Sequence, residues 1–203
     1  MRLCLIAVLV SLLFYDLPAY GDELDASAPA HPDLIIVRRF AVSTRVVSLD
    51  PSLGFSLDRR QPGVPPHRRA ASLARATSFV LADTITAHLR ELGYDAVQSD
   101  EAGPEPNGRA LIVSGVFRSI NEGHRRRLAA KDASVGASFE ISAQSEGARP
   151  RRQLVSRLDS RRLPEKSATH REPVKSAARQ LGLIIANSVA DLARRTNWPR
   201  AAL

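Results

Sequence analysis

The chain has 203 residues, 44% hydrophobic and 25% charged, a balance that fits a globular domain and not a disordered one. A chain of this size buries roughly 70% of the surface it exposes when unfolded, so its core needs no staples. The single cysteine, Cys4, lies in the amino-terminal apolar run. The rest of the chain therefore has no disulfide, thiol nucleophile or cysteine–zinc site.

The net charge of +8 is uneven: residues 1–108 hold 10 basic against 13 acidic side chains, and residues 109–203 hold 19 against 8. A half so basic suits an anionic partner: nucleic acid, phospholipid headgroups or an acidic polymer. Arginines solvating exposed strand faces are the plainer reading of the same excess.

Residues 1–21 have the order of a secretory signal. Arg2 supplies a positive start, Leu3 to Tyr15 an apolar run, Pro18 a helix breaker, and Ala19 and Gly21 small residues before a cut at Asp22. The run is too short for the roughly 20 residues that a membrane-spanning helix needs, so no span is expected in the mature chain. A lipobox cysteine follows the apolar run whereas Cys4 precedes nearly all of it, so no lipid anchor is expected. The expected address is periplasmic or secreted. Residues 22–33 read as a flexible leader and residues 34–198 as a single globular domain.

The first expected strand is Leu34 to Ser43, with Leu34, Ile36, Phe40 and Val42 alternating against their neighbours. A long loop follows, with turn signals at Asp50-Pro51 and Pro62-Gly63. Pro65 and Pro66 open a helix to about Leu92, whose stripe is Leu73, Thr77, Leu81, Ile85, Leu89 and Leu92. Gly93 stands where a left-handed cap belongs.

Tyr94 to Gln98 reads as a short strand, and Asp100 to Gly108 as a loop. Arg109 to Asn121 is the strongest strand signal, with Leu111, Val113 and Phe117 facing one way and Ile112, Val116 and Ile120 the other. Val135 to Ala143 and Gln153 to Ser160 complete an antiparallel meander, the latter with Leu154 and Leu158 as its apolar face. Pro173 opens a last helix striped by Val174, Ala178, Leu181, Ile185, Val189 and Leu192, ending before Pro199.

The expected class is α/β of the α+β type: a two-layer sandwich in which a mixed sheet of about five strands carries both amphipathic helices on one face. The other face is then open, and carries Arg118, Glu140, Arg157 and Arg161 beside Ile112 and Val116.

No catalytic or metal-binding constellation stands out. His31, His67, His88, His124 and His170 have no ligand spacing, and His88 on a helix flank reads as a structural histidine. There is no Gly-x-Ser-x-Gly elbow and no phosphate loop ending in Lys-Ser/Thr. No cofactor, metal or catalytic residue is therefore expected.

The most distinctive stretch is Asn121-Glu122-Gly123, a turn, followed by Arg125, Arg126 and Arg127. Three guanidinium groups at a strand end can hold carboxylate or phosphate as planar forks, or stand simply exposed. Aromatic residues for base stacking do not flank the run, so nucleic acid is not the expected partner.

Arg109-Ala110-Leu111-Ile112-Val113-Ser114-Gly115-Val116-Phe117, continuing through Ser119-Ile120-Asn121-Glu122-Gly123-His124-Arg125, resembles the core motif of domain-of-unknown-function family 4410. Asp50-Pro51-Ser52 and the alanine-rich segment Ala70 to Gly93 resemble its earlier portions, so that the similarity covers roughly Leu34 to Ala193. Of the family's glycine-rich turn after the arginines this chain keeps only Gly136, and it lacks the lipobox of many members. The resemblance implies a bacterial envelope protein with no assigned reaction. The expected function is an exported, non-catalytic accessory or binding module for an anionic envelope protein or polymer. Its expected binding residues are Arg118, Asn121, Glu122, Arg125, Arg126, Arg127, Arg157 and Arg161. The alternative is an envelope hydrolase whose site the sequence does not reveal; the oligomeric state is not specified.

Overall fold

Eight regular elements follow one another in a computed structural model described over residues 32–50, 64–100, 108–123, 133–144, 151–162 and 173–196. They are β1 (Leu34–Arg38), β2 (Val47–Ser48), α1 (Pro66–Glu91), β3 (Ala96–Ser99), β4 (Ala110–Asn121), β5 (Ser134–Gln144), β6 (Arg151–Asp159) and α2 (Pro173–Arg195). Single 3-10 turns stand at Thr44–Val46 and Ser160–Arg162. The expected signal segment lies outside the described residues.

One mixed sheet runs in the order β3-β1-β4-β5-β6, with β2 paired to the far end of β4. β1 is parallel to both β3 and β4, and β4, β5 and β6 form the antiparallel meander. Helix α1 returns the chain between the parallel strands β1 and β3, as a parallel pair requires. α1 packs on β1 and β3, α2 packs on β5, and the two helices pack on each other. The α+β two-layer sandwich expected from the sequence is the architecture observed.

Both helices bury the stripes that their 3.6-residue period predicts. Leu81, Ile85 and Leu89 of α1 meet Leu181, Ile185 and Val189 of α2 in the core cluster, each fully buried side chain contributing about 1.5–3 kcal/mol by transfer from water. Pro66 occupies the first turn of α1, where its missing N–H costs nothing. At the other end Gly93 has φ 83°. Its N–H donates to the Arg90 carbonyl (2.9 Å) and the Tyr94 N–H to the Leu89 carbonyl (3.0 Å), the double closure that a left-handed residue permits.

The sheet departs from simple alternation at two places. In β4 the pairing slips between Phe117 and Ser119, leaving Arg118 as an extra residue. A bulge of this kind reverses the faces beyond it. Ile120, expected on the open face, therefore joins Leu111, Val113 and Phe117 in the core.

In β1 the inward side chains are Ile35 and Val37, where the sequence reading placed Leu34 and Ile36. The strand also ends at Arg38, short of the expected Ser43. Beyond it the chain touches β4 through a bridge at Ala41–Val116 and folds Phe40 inward. Phe40 stacks on Phe117 at 5.9 Å, tilted by 56°, a separation at which aromatic pairs attract. Its ring lies over Gly115, where a β-carbon would come within 2.4 Å of the ring and 2.5 Å of the Ser138 carbonyl oxygen. Only glycine fits there.

Candidate functional site

The helices cover one face of the sheet and leave the other to be read row by row from the strand register. Ile36, Ile112 and Ser142 form one row on this second face, and all three are buried. Ile112, expected on the open face beside the arginines, is thus withdrawn from solvent. The next two rows are open. Ser114, Glu140 and Val155 lie abreast, followed by Val116, Ser138 and Arg157. Val116 is 40% and Val155 55% exposed.

Between these rows and the stretch that follows β1 lies a groove of about 310 Å³, lined among others by Arg38, Arg39, Val116, Ser138, Glu140 and Val155. Arg39 crosses to Asp100 (3.2 Å) and lies over the Phe79 ring at 5.7 Å. The Ser138 hydroxyl is buried and has no hydrogen-bond partner among the described residues.

A second slip, in β6, skips Gln153 between Leu154 and Arg152. It brings Arg152 onto the open face, where Arg152 Nε reaches Glu140 Oε1 at 3.1 Å. This ion pair is not visible in the sequence. A strict period of two puts Arg152 with Leu154, and only a bulge moves it.

The expected binding residues scatter. Arg157 stands exposed on the open face beside Ser138. Arg118 is exposed at the bulge of β4. Arg161 lies in the 3-10 turn after β6, and its backbone N–H and guanidinium both donate to Asp159, at 2.9 to 3.3 Å. Partial burial pushes the Asp159 carboxyl up. The hydrogen bonds from Arg161, with the charges of Arg161 and Arg162, outweigh that and hold it below the usual carboxylate range. Arg125, Arg126 and Arg127 lie outside the described residues.

Asn121 and Glu122 turn inward from the end of β4. Asn121 Oδ1 accepts from the Gly123 N–H (2.9 Å), closing the expected turn. Glu122 is 8% exposed. Its Oε2 accepts from the Asp50 N–H (3.0 Å) and from Arg69 Nη2 (3.2 Å), while its own N–H donates to the Ser48 carbonyl (2.9 Å). One carboxylate thus ties together the end of β4, the segment after β2 and the first turn of α1.

His88 is likewise structural in its surroundings. Nδ1 is 3.0 Å from Glu91 Oε2, and Nε2 is 3.1 Å from Asn187 Oδ1 on α2. Among the described residues no three His, Cys, Asp or Glu side chains gather as a metal cage. No helix there is long and apolar enough to cross a membrane.

No family model matches the chain. A stretch of 71 residues, 35% of the chain, is 37% identical to the Diels-Alderase phm7 of Pyrenochaetopsis sp, and the chain spans 18% of that enzyme's length. Two solved structures are similar in shape. One is an uncharacterized protein with 11% identity and a TM-score of 0.37, the match covering 80% of this chain and 93% of that one. The other is a Xanthomonas campestris protein of domain-of-unknown-function family 330, with 10% identity, a TM-score of 0.42, and 83% and 91% coverage.

Proposed function

We propose that the protein is an exported accessory module of the bacterial cell envelope that binds an anionic partner on its open sheet face. The observation that carries this reading is the open face itself: Val116 and Val155 are exposed around a groove edged by Arg38 and Arg39, with Arg152 and Arg157 on the neighbouring strand. Guanidinium groups bind carboxylates and phosphates in a planar fork, and the apolar floor adds contact area. The bacterial address rests on the resemblance of residues 109–125 to family 4410 and on the signal-like order of residues 1–21.

Two measurements check the two halves of the proposal. Intact mass of protein from its native host is expected to begin at Asp22; a retained Met1 or an acylated Cys4 would end the export reading. Binding of the mature protein to the envelope fraction is expected to weaken as salt rises, because charge attraction is screened over about 8 Å at physiological ionic strength. Replacing Arg157, which stands exposed on the open face, with alanine is expected to slow association without unfolding the domain. Equal, salt-insensitive binding by wild type and variant would show that the basic half is only a solvated surface.

A further inference from the structure

β6 ends the sheet. It pairs with β5 on one side, and among the described residues no strand pairs with its other side. In this setting the outward-pointing N–H and C=O groups of alternate residues along the nine-residue strand form a template for another chain. The composition of this edge selects which chain. Arg151, Arg152 and Arg157 are exposed along the strand, and Arg161 and Arg162 follow in the turn, with Asp159 the sole acidic residue between 151 and 162. A second copy laid antiparallel on β6 brings the same basic excess, three arginines against one aspartate on each strand, and strands of like net charge repel. The bulge at Gln153 also roughens the first third of the edge, another device against self-pairing. An acidic strand meets the opposite situation.

Resting on the anionic-partner reading above, we propose that the partner is an extended acidic polypeptide that adds to the sheet as a strand along the outer edge of β6. Main-chain hydrogen bonds supply affinity in such an arrangement, and alternate side chains supply selection. On the open face the register places Arg157 and Val155 two residues apart, with Arg152 beyond the bulge. The complementary strand carries acidic residues opposite the arginines and an apolar residue opposite Val155, which is 55% exposed and borders the groove.

The probe is a capped seven-residue peptide, Thr-Glu-Thr-Val-Thr-Glu-Thr, titrated into the mature protein by calorimetry. It is run beside the same peptide N-methylated at alternate backbone nitrogens, a version with lysine for glutamate, and inorganic polyphosphate. Saturable binding of the parent peptide is expected, weakened at least about tenfold by N-methylation, which keeps the charge and removes the strand donors. A comparable loss is expected with the lysine peptide and with Arg157→Glu. Equal binding of parent and N-methylated peptides overturns strand addition and leaves the anionic-partner reading standing, as does binding of polyphosphate with none of the peptide. Binding of none of the probes overturns both.

Discussion

Truncating Phe117 to alanine is expected to destabilise the domain by about 3–5 kcal/mol, and Leu181→Ala by about 2–5 kcal/mol, through lost transfer energy and the cavity left behind. Phe117 is 2% exposed, stacks on Phe40 and stands in the central strand, and Leu181 is fully buried on α2. The two belong to one core cluster that joins the sheet to both helices, so neither site can collapse without moving the other layer. Cooperative denaturant melts of the two variants beside wild type provide the measurement. Losses below about 1 kcal/mol at both positions would mean that the core faces the other way. The larger cost is expected at Phe117, because its ring also holds Phe40 over Gly115, where nothing but a glycine leaves room.

The contrast between the helices and the sheet shows what a sequence can carry. A helical stripe is written in the chain itself: Leu81, Ile85 and Leu89 repeat at the helical period, and all three are buried. Gly93 marks the end of α1 because only a residue tolerant of positive φ closes it so cheaply. Strand faces rest on a period of two that one extra residue reverses. The bulge at Arg118 moved Ile120 inward, and the bulge at Gln153 moved Arg152 onto the open face. Neither position carries a glycine or proline to announce it.

β1 misleads for a different reason. Leu34-Ile35-Ile36-Val37 is apolar throughout, and both Ile35 and Ile36 are buried, so alternation has nothing to distinguish. β2 is two residues long and exists only through its pairing with Ile120 and Asn121. Of the candidate surface, Val116, Glu140 and Arg157 were legible as outward residues of well-formed strands. The groove beside them depends on where the chain after β1 rejoins β4, at the parallel bridge Ala41–Val116, a contact that no local pattern encodes.

Glu122 illustrates the same limit and supplies the second large effect. Its distinctiveness in the sequence suggested a binding surface, yet its carboxylate binds the chain's own Asp50 N–H and Arg69. Glu122→Ala is expected to cost about 2–3 kcal/mol, since it removes a charge-assisted acceptor shared by a buried N–H and a guanidinium. The Arg69 side chain is 20% exposed, so water offsets part of its loss and keeps the figure below that of a sealed ion pair. Glu122→Gln keeps an acceptor for the Asp50 N–H and gives up the charge, so about half the cost is expected. Arg69→Ala combined with Glu122→Ala completes a double-mutant cycle, and a coupling of about 1 kcal/mol is expected because the two share one contact. Urea melts of the five proteins, wild type included, decide the matter. A Glu122→Ala protein as stable as wild type, with weakened binding to the envelope fraction, would return this carboxylate to the surface as a recognition group. Unchanged binding with lowered stability keeps it as the clasp between β4, the segment after β2 and the start of α1.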